Sequence, residues 1–187
     1  MKIKTLSNHN RMIRYCISLI VTLSLSLSSN GQQNMDKYAT KVNSLDSIIH
    51  NLYGVISGDA GVKRNWILFH YLFLPDAKLM PAQENKSGEV VVSYLSPQDY
   101  VDRSGPYLEE KGFHEVELAR QTERFGNIAH VISTYAAYQK STDEKPFMRG
   151  INSIQLLYDN NRWWIANIYW QAESRDLVLS EKYLQEK

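Results

Sequence analysis

The sequence predicts an α+β domain, and three observations carry that prediction. Apolar residues recur at steps of three and four early in the chain. Four long strand-like stretches follow one another in the second half. Turn signals join those stretches in pairs. Helices gathered early and strands gathered late place the helices on one face of a sheet.

Leu45, Ile48, Ile49, Leu52, Val55 and Ile56 make the first helical stripe, with Gly58 where a C-terminal glycine belongs. His50 lies off that stripe and reads as solvated. The spacing predicts a second helix over 63–74, stopped by Pro75, on which Trp66, His70 and Phe73 share a face. Asp76 to Pro81 reads as a short strand ended by proline, and Glu89 to Leu95 as another. Ser96, Pro97 and Asp99 form a helix start: N-cap, proline at N1, and a carboxylate at N3. Ser104, Gly105 and Pro106 are expected to interrupt this helix. Phe113–Phe125 and Ile128–Gln139 form a hairpin around Gly126 and Asn127. The last hairpin pairs Ile151–Tyr158 with Trp163–Glu173 across Asp159, Asn160 and Asn161, residues that tolerate positive φ. On its second arm Trp164, Ala166, Ile168 and Trp170 share one face, and Trp163, Ile165, Asn167 and Tyr169 the other. Bulk on both faces predicts a strand covered on both sides.

The 187 residues suffice for one domain with a core. The net charge of +1 gives no reason to expect nucleic acid. The single cysteine, Cys16, excludes an internal disulfide framework, and no pair among the five histidines has metal-ligand spacing, so no metal and no cofactor is expected. Residues 1–31 have the layout of a secretory signal peptide. Lys2, Lys4, Arg11 and Arg14 precede an apolar run over 16–27, and Ser29 and Gly31 are small residues at the −3 and −1 positions. The expectation is export to a periplasmic or secreted location after cleavage near Gly31, with no membrane association afterwards. The mature chain then divides into a lead-in over 32–43, one domain over 44–174, and a polar tail over 175–187.

Ile56-Ser-Gly-Asp59, Asn65-Trp66, Leu72–Ala77 and the stretch Gly150–Ala166 resemble nuclear transport factor 2-like (SnoaL-like) domains, over roughly residues 44–173. The resemblance implies a cone-shaped, curved antiparallel sheet of cystatin-like type wrapped around three helices, with an apolar pocket inside. It also implies frequent dimerisation through the outer sheet face, here Ile128, Ile132, Ile165 and Tyr169. The family holds isomerases, dehydratases, cyclases and epoxide hydrolases beside non-enzymatic binding domains, so fold alone does not select a function. The ketosteroid isomerase pattern is not kept: Pro81, Asn51 and Ile154 stand where its base, tyrosine and second acid fall. Asp99, Asp102 and Arg103 are the residue types of the epoxide hydrolase pattern without its spacing, and His70 and His130 fit the dehydratase pattern only if both point inward.

The register implied by the family lines the pocket with Trp66, His70, Tyr94, Tyr135 and Asn152, together with Ile154, Ala166, Ile168 and Trp170. Two functions compete. One is a non-catalytic domain binding a small apolar or aromatic ligand, or a partner chain, in the cone. The other is a cofactor-free lyase, isomerase or hydrolase with His70 as general base and Tyr94 or Tyr135 as hydrogen-bond donor.

Overall fold

A computed structural model of the chain describes residues 37–185. The expected signal peptide over 1–31, its expected cleavage near Gly31, Cys16, and most of the lead-in lie outside the described residues. Residues 40–187 form one compact unit, and the account below concerns that unit.

Three helices precede or interrupt six strands: α1 (Leu45–Ile56), α2 (Trp66–Leu72), β1 (Phe73–Glu84), β2 (Val90–Val92), α3 (Pro97–Lys111), β3 (His114–Phe125), β4 (Ile128–Tyr138), β5 (Met148–Asp159) and β6 (Arg162–Ala172). The strands form a single sheet in the order β2-β1-β6-β5-β4-β3. Every pairing is antiparallel except β1–β6, which is parallel, so the sheet is mixed. The α+β class stands. The sequence hid the parallel pair because the connection from β1 to β6 runs through most of the domain.

Ser44 caps α1 by accepting from the Ser47 amide. Ile48, Ile49, Leu52, Val55 and Ile56 of α1 are all buried, as the helical stripe requires. Ser96 and Asp99 form the expected capping box: the Asp99 amide donates to Ser96 Oγ at 3.1 Å and the Ser96 amide donates to Asp99 Oδ2 at 2.9 Å. The Ser96 hydroxyl, donating to Asp99 Oδ2 at 2.7 Å, and after it the Ser96 amide hold the Asp99 carboxyl below its ordinary value. Helix α3 does not break at Ser104, Gly105 and Pro106; it runs through to Lys111 with Pro106 inside. Gly105 keeps Trp66 close, since a Cβ there would lie 3.1 Å from the indole. Helix α2 is shorter than expected, and β1 continues through Pro75 and Pro81 to Glu84. Pro75 falls where the β1–β6 register is irregular, and the Pro81 carbonyl still accepts from the Ser93 amide.

The last hairpin turns on Asn160 (φ 50°) and Asn161 (φ 60°), the positive φ that its sequence foretells. A bulge at Ala166 breaks the alternation: Gln155 pairs with Asn167, but Leu156 pairs with Ile165. Trp163 and Ile165 are therefore buried in the core with Ile168. Ile165 does not belong to the outer face to which strict alternation assigned it. Ile128 and Tyr169 do lie exposed on that face. The tail over 175–185 also packs there: Thr134 Oγ1 donates to the Tyr183 carbonyl, and Gln121 Nε2 donates to the Lys182 carbonyl at 2.6 Å. Glu173 anchors its start by accepting from Arg149 Nε at 2.7 Å and from the Leu179 amide at 2.8 Å.

Candidate functional site: a cavity between the helices and the sheet

A cavity of about 430 Å³ lies between α1, α2, α3 and the inner face of the sheet. Phe69, Tyr100 and Trp170 make an aromatic wall. Phe69 and Tyr100 stack with ring centres 5.4 Å apart, and Tyr100 meets the edge of Trp170 at 6.4 Å. Leu52, Leu79 and Ile168 add aliphatic surface. The polar groups are few: Glu115, Tyr135 and Asn152 inside, with Arg103 exposed at the margin. Such a lining suits a small molecule with an apolar body and one polar group.

Glu115 and Asn152 belong to a connected series. Asn152 Nδ2 donates to Tyr53 Oη at 3.1 Å and to Glu115 Oε1 at 3.3 Å. Tyr53 and Ser133 share a hydrogen bond of 2.7 Å, and Ser133 Oγ donates to Glu117 Oε1 at 2.5 Å. Glu117 then meets Arg120, whose Nη1 reaches Asp46 on α1 at 2.6 Å. A bulge at Leu118 allows this: it brings Glu117 and Arg120, three residues apart, onto the same face.

Burial raises the Glu115 carboxyl to about 7, against the lowering effect of the Asn152 bond. Burial likewise raises Tyr53, Tyr100 and Tyr135, and the Glu115 charge adds to each. The Tyr135 hydroxyl is buried and has no hydrogen-bond partner. Unpaired buried hydroxyls are uncommon, and this one borders a cavity. Glu115 also borders a second, polar cleft between α1 and β3. Among the described residues, no three His, Cys, Asp or Glu side chains gather in a metal-ligating cluster, and no helix is long and apolar enough to cross a membrane.

Of the residues expected to line the pocket, Tyr135, Asn152, Ile168 and Trp170 do so. Ile154 is fully buried but packs in the core away from the cavity, and Ala166 sits at the bulge. Trp66 is half-buried and engaged elsewhere, donating from Nε1 to Glu109 at 2.9 Å. His70 is exposed on α2, so it is neither a core histidine nor a base within the cavity. Tyr94 is 71% exposed because β2 ends at Val92. His130 lies on the outer face against Ser153 Oγ at 2.9 Å, which removes the paired-histidine pattern.

Sequence reasoning missed Glu115, Tyr100 and Tyr53. In Glu115-Val-Glu-Leu118, alternation alone aims Val116 and Leu118 at the core. The structure does the reverse: both are exposed, while the glutamates face the helices. An apolar pair on the outer side of an otherwise polar strand was the available signal.

No family model and no curated protein matches the sequence. Solved structures do resemble the fold. A proposed calcium/calmodulin dependent protein kinase II association domain from Xanthomonas campestris shares 15% identity over 70% of this chain and 86% of its own, with a TM-score of 0.50. A nuclear transport factor 2-like protein of unknown function from Silicibacter pomeroyi shares 13% identity over 69% and 92%, with a TM-score of 0.48. A ketosteroid isomerase candidate from Shewanella frigidimarina shares 16% over 57% and 80%, with a TM-score of 0.40. Identities this low speak to fold alone. With its six-stranded sheet over three helices, the chain has an α+β fold like that of the Xanthomonas campestris domain.

Proposed function

We propose that the domain binds a small, largely apolar molecule carrying one polar group in the cavity between its helices and sheet. The observation that carries this reading is the buried, unpartnered Tyr135 hydroxyl bordering a cavity with an aromatic wall. Native mass spectrometry of gently purified protein tests it. A small molecule should be retained, and it should be lost in Met148→Trp, which narrows the cavity from its half-buried rim. A bare-chain mass in every preparation, or retention unaffected by that substitution, counts against binding.

A second reading keeps cofactor-free acid–base chemistry but moves the base from His70 to Glu115. A carboxyl raised to about 7 beside a tyrosine hydroxyl suits proton transfer at neutral pH. Turnover surviving Glu115→Gln would rule it out. Export remains part of the proposal, supported by the basic start and apolar run of residues 1–31. N-terminal sequencing of the processed protein should begin at Gln32, and Cys16 in that protein would refute it. A homodimer through Ile128, Ile132 and Tyr169 is likewise proposed, on their position on the outer face. Light scattering of the intact protein as a monomer at micromolar concentration would oppose it.

A further inference from the structure

Three of the ionisable groups lining the cavity have something in common. Glu115, Tyr100 and Tyr135 each become negative on ionisation, and none pairs with a cation inside the cavity. They lie within electrostatic reach of one another: the Glu115 charge acts on both tyrosines, and Tyr135 acts on Tyr100. Arg120, the nearest arginine on the same strand, is already committed to Glu117 and Asp46. Arg103 stands exposed at the margin, where water screens it.

We propose that the cavity takes an organic ammonium, a small primary amine with an aromatic or alkyl body, and that Glu115 is its counter-ion. This rests on the binding reading above and names its ligand class. An ammonium group has three donors and no acceptor. One donor meets the Glu115 carboxylate, which also accepts from the Asn152 amide at 3.3 Å. A second satisfies the Tyr135 oxygen, which otherwise stays buried without a partner. The faces of Tyr100 and Trp170 favour a cation through their ring quadrupoles. The apolar body then lies against Phe69, Leu79 and Ile168. A neutral alcohol can donate to Glu115 and accept from the Tyr135 hydroxyl, but it brings no positive charge to the carboxylate, and that charge is what favours the ammonium. A carboxylate ligand places a second negative charge beside Glu115, while the two tyrosines, raised by burial, remain neutral phenols.

Calorimetric titration of the intact protein with three probes of matched shape tests the assignment: 2-phenylethylammonium, 2-phenylethanol and 3-phenylpropionate. The ammonium is expected to bind at least about tenfold more tightly than the alcohol, with the carboxylate weakest. In Glu115→Gln, with folding verified by a cooperative melt, that preference should fall to about twofold or less. Tyr135→Phe should weaken the ammonium several-fold while Glu115 still confers a preference over the carboxylate. Equal affinity for ammonium and alcohol in the unmodified protein overturns the ammonium assignment and leaves the binding reading standing. A preference that survives Glu115→Gln overturns the counter-ion role. Failure of all three probes to bind overturns the binding reading together with the inference.

Discussion

Asn152 on β5 donates a 3.3 Å hydrogen bond to Glu115 on β3, although β4 runs between their two strands. Curvature of the sheet makes that reach possible and turns an acid on an amphipathic strand into a group facing a cavity. The Glu115 carboxyl is raised from its ordinary value to about 7 by burial. A carboxyl raised in the folded state favours folding while protonated, so its contribution is present below about 4.5 and is lost as pH rises through about 7. The loss is at most roughly 3 kcal/mol, and less to the extent that water reaches the half-buried group. Melting temperatures measured from pH 5 to 8 should fall more steeply for the unmodified protein than for Glu115→Gln. Parallel curves would contradict the assignment.

Tyr53 links Ser133 to Asn152 and so holds the polar series together. Tyr53→Phe keeps the ring and removes both bonds, leaving Ser133 with Glu117 alone. The expected cost is about 1–3 kcal/mol in denaturant unfolding, because buried partners lose their pairing. A change below a few tenths of a kcal/mol would show that water replaces the hydroxyl.

Gly150 is required by close approach. A Cβ at that position would lie 2.4 Å from the Gln171 carbonyl oxygen and 2.7 Å from the Tyr135 hydroxyl. Gly150→Ala must displace β6 or push Tyr135 into the cavity, at a cost of roughly 1–3 kcal/mol. Thermal denaturation measures the cost, and weaker ligand retention in native mass spectra reports on Tyr135.

Arg64 is buried and donates to five carbonyls: Ile56, Gly58, Asp59, Val62 and Leu108. Those bonds tie the end of α1 to α3, and desolvation lowers the Arg64 pKa. Arg64→Ala orphans the carbonyls and should destabilise the domain by about 3 kcal/mol or more. Arg64→Lys should recover only part of this, because an ammonium offers three donors and no planar fork. Full recovery by lysine would show that charge alone matters.

The C-terminal segment predicts a change in assembly. Residues 175–185 lie over part of the outer face, held by Glu173, Gln121 and Thr134. A chain ending at Glu173 uncovers Thr134 and Ala119, both buried in the intact protein. The expected outcome is a lower melting temperature and greater self-association by light scattering. A truncated chain as stable as the intact one and in the same oligomeric state would mean that the segment contributes no cover.

Part of the site was legible in residue patterns, and the misses have separate causes. Tyr135 and Asn152 were placed in the cavity by the alternation of their strands, and Ile168 and Trp170 by the alternation that resumes beyond the β6 bulge. Ala166 and Ile165 were misplaced because one bulge shifts the parity of β6, and periodicity does not reveal where an extra residue sits. His70 and Trp66 were grouped by helical spacing, which shows that side chains share a face without showing what that face meets. Glu115 was overlooked because a buried carboxylate runs against the usual burial preference, and only its neighbours explain it.

By itself, the sequence determined the α+β class, the cap at Ser96, and the asparagine turn of the last hairpin. These follow from local backbone preferences and side-chain periodicity, which act over a few residues. Tertiary structure decided the parallel β1–β6 pair, the bulges that aim Glu117, Arg120 and Ile165 inward, and the cavity around Glu115. Those depend on contacts between residues as much as 99 positions apart, as in the bond from Asn152 to Tyr53. Charge and burial at such a point are set by which strands curve over which helices, a property no local window of the chain contains.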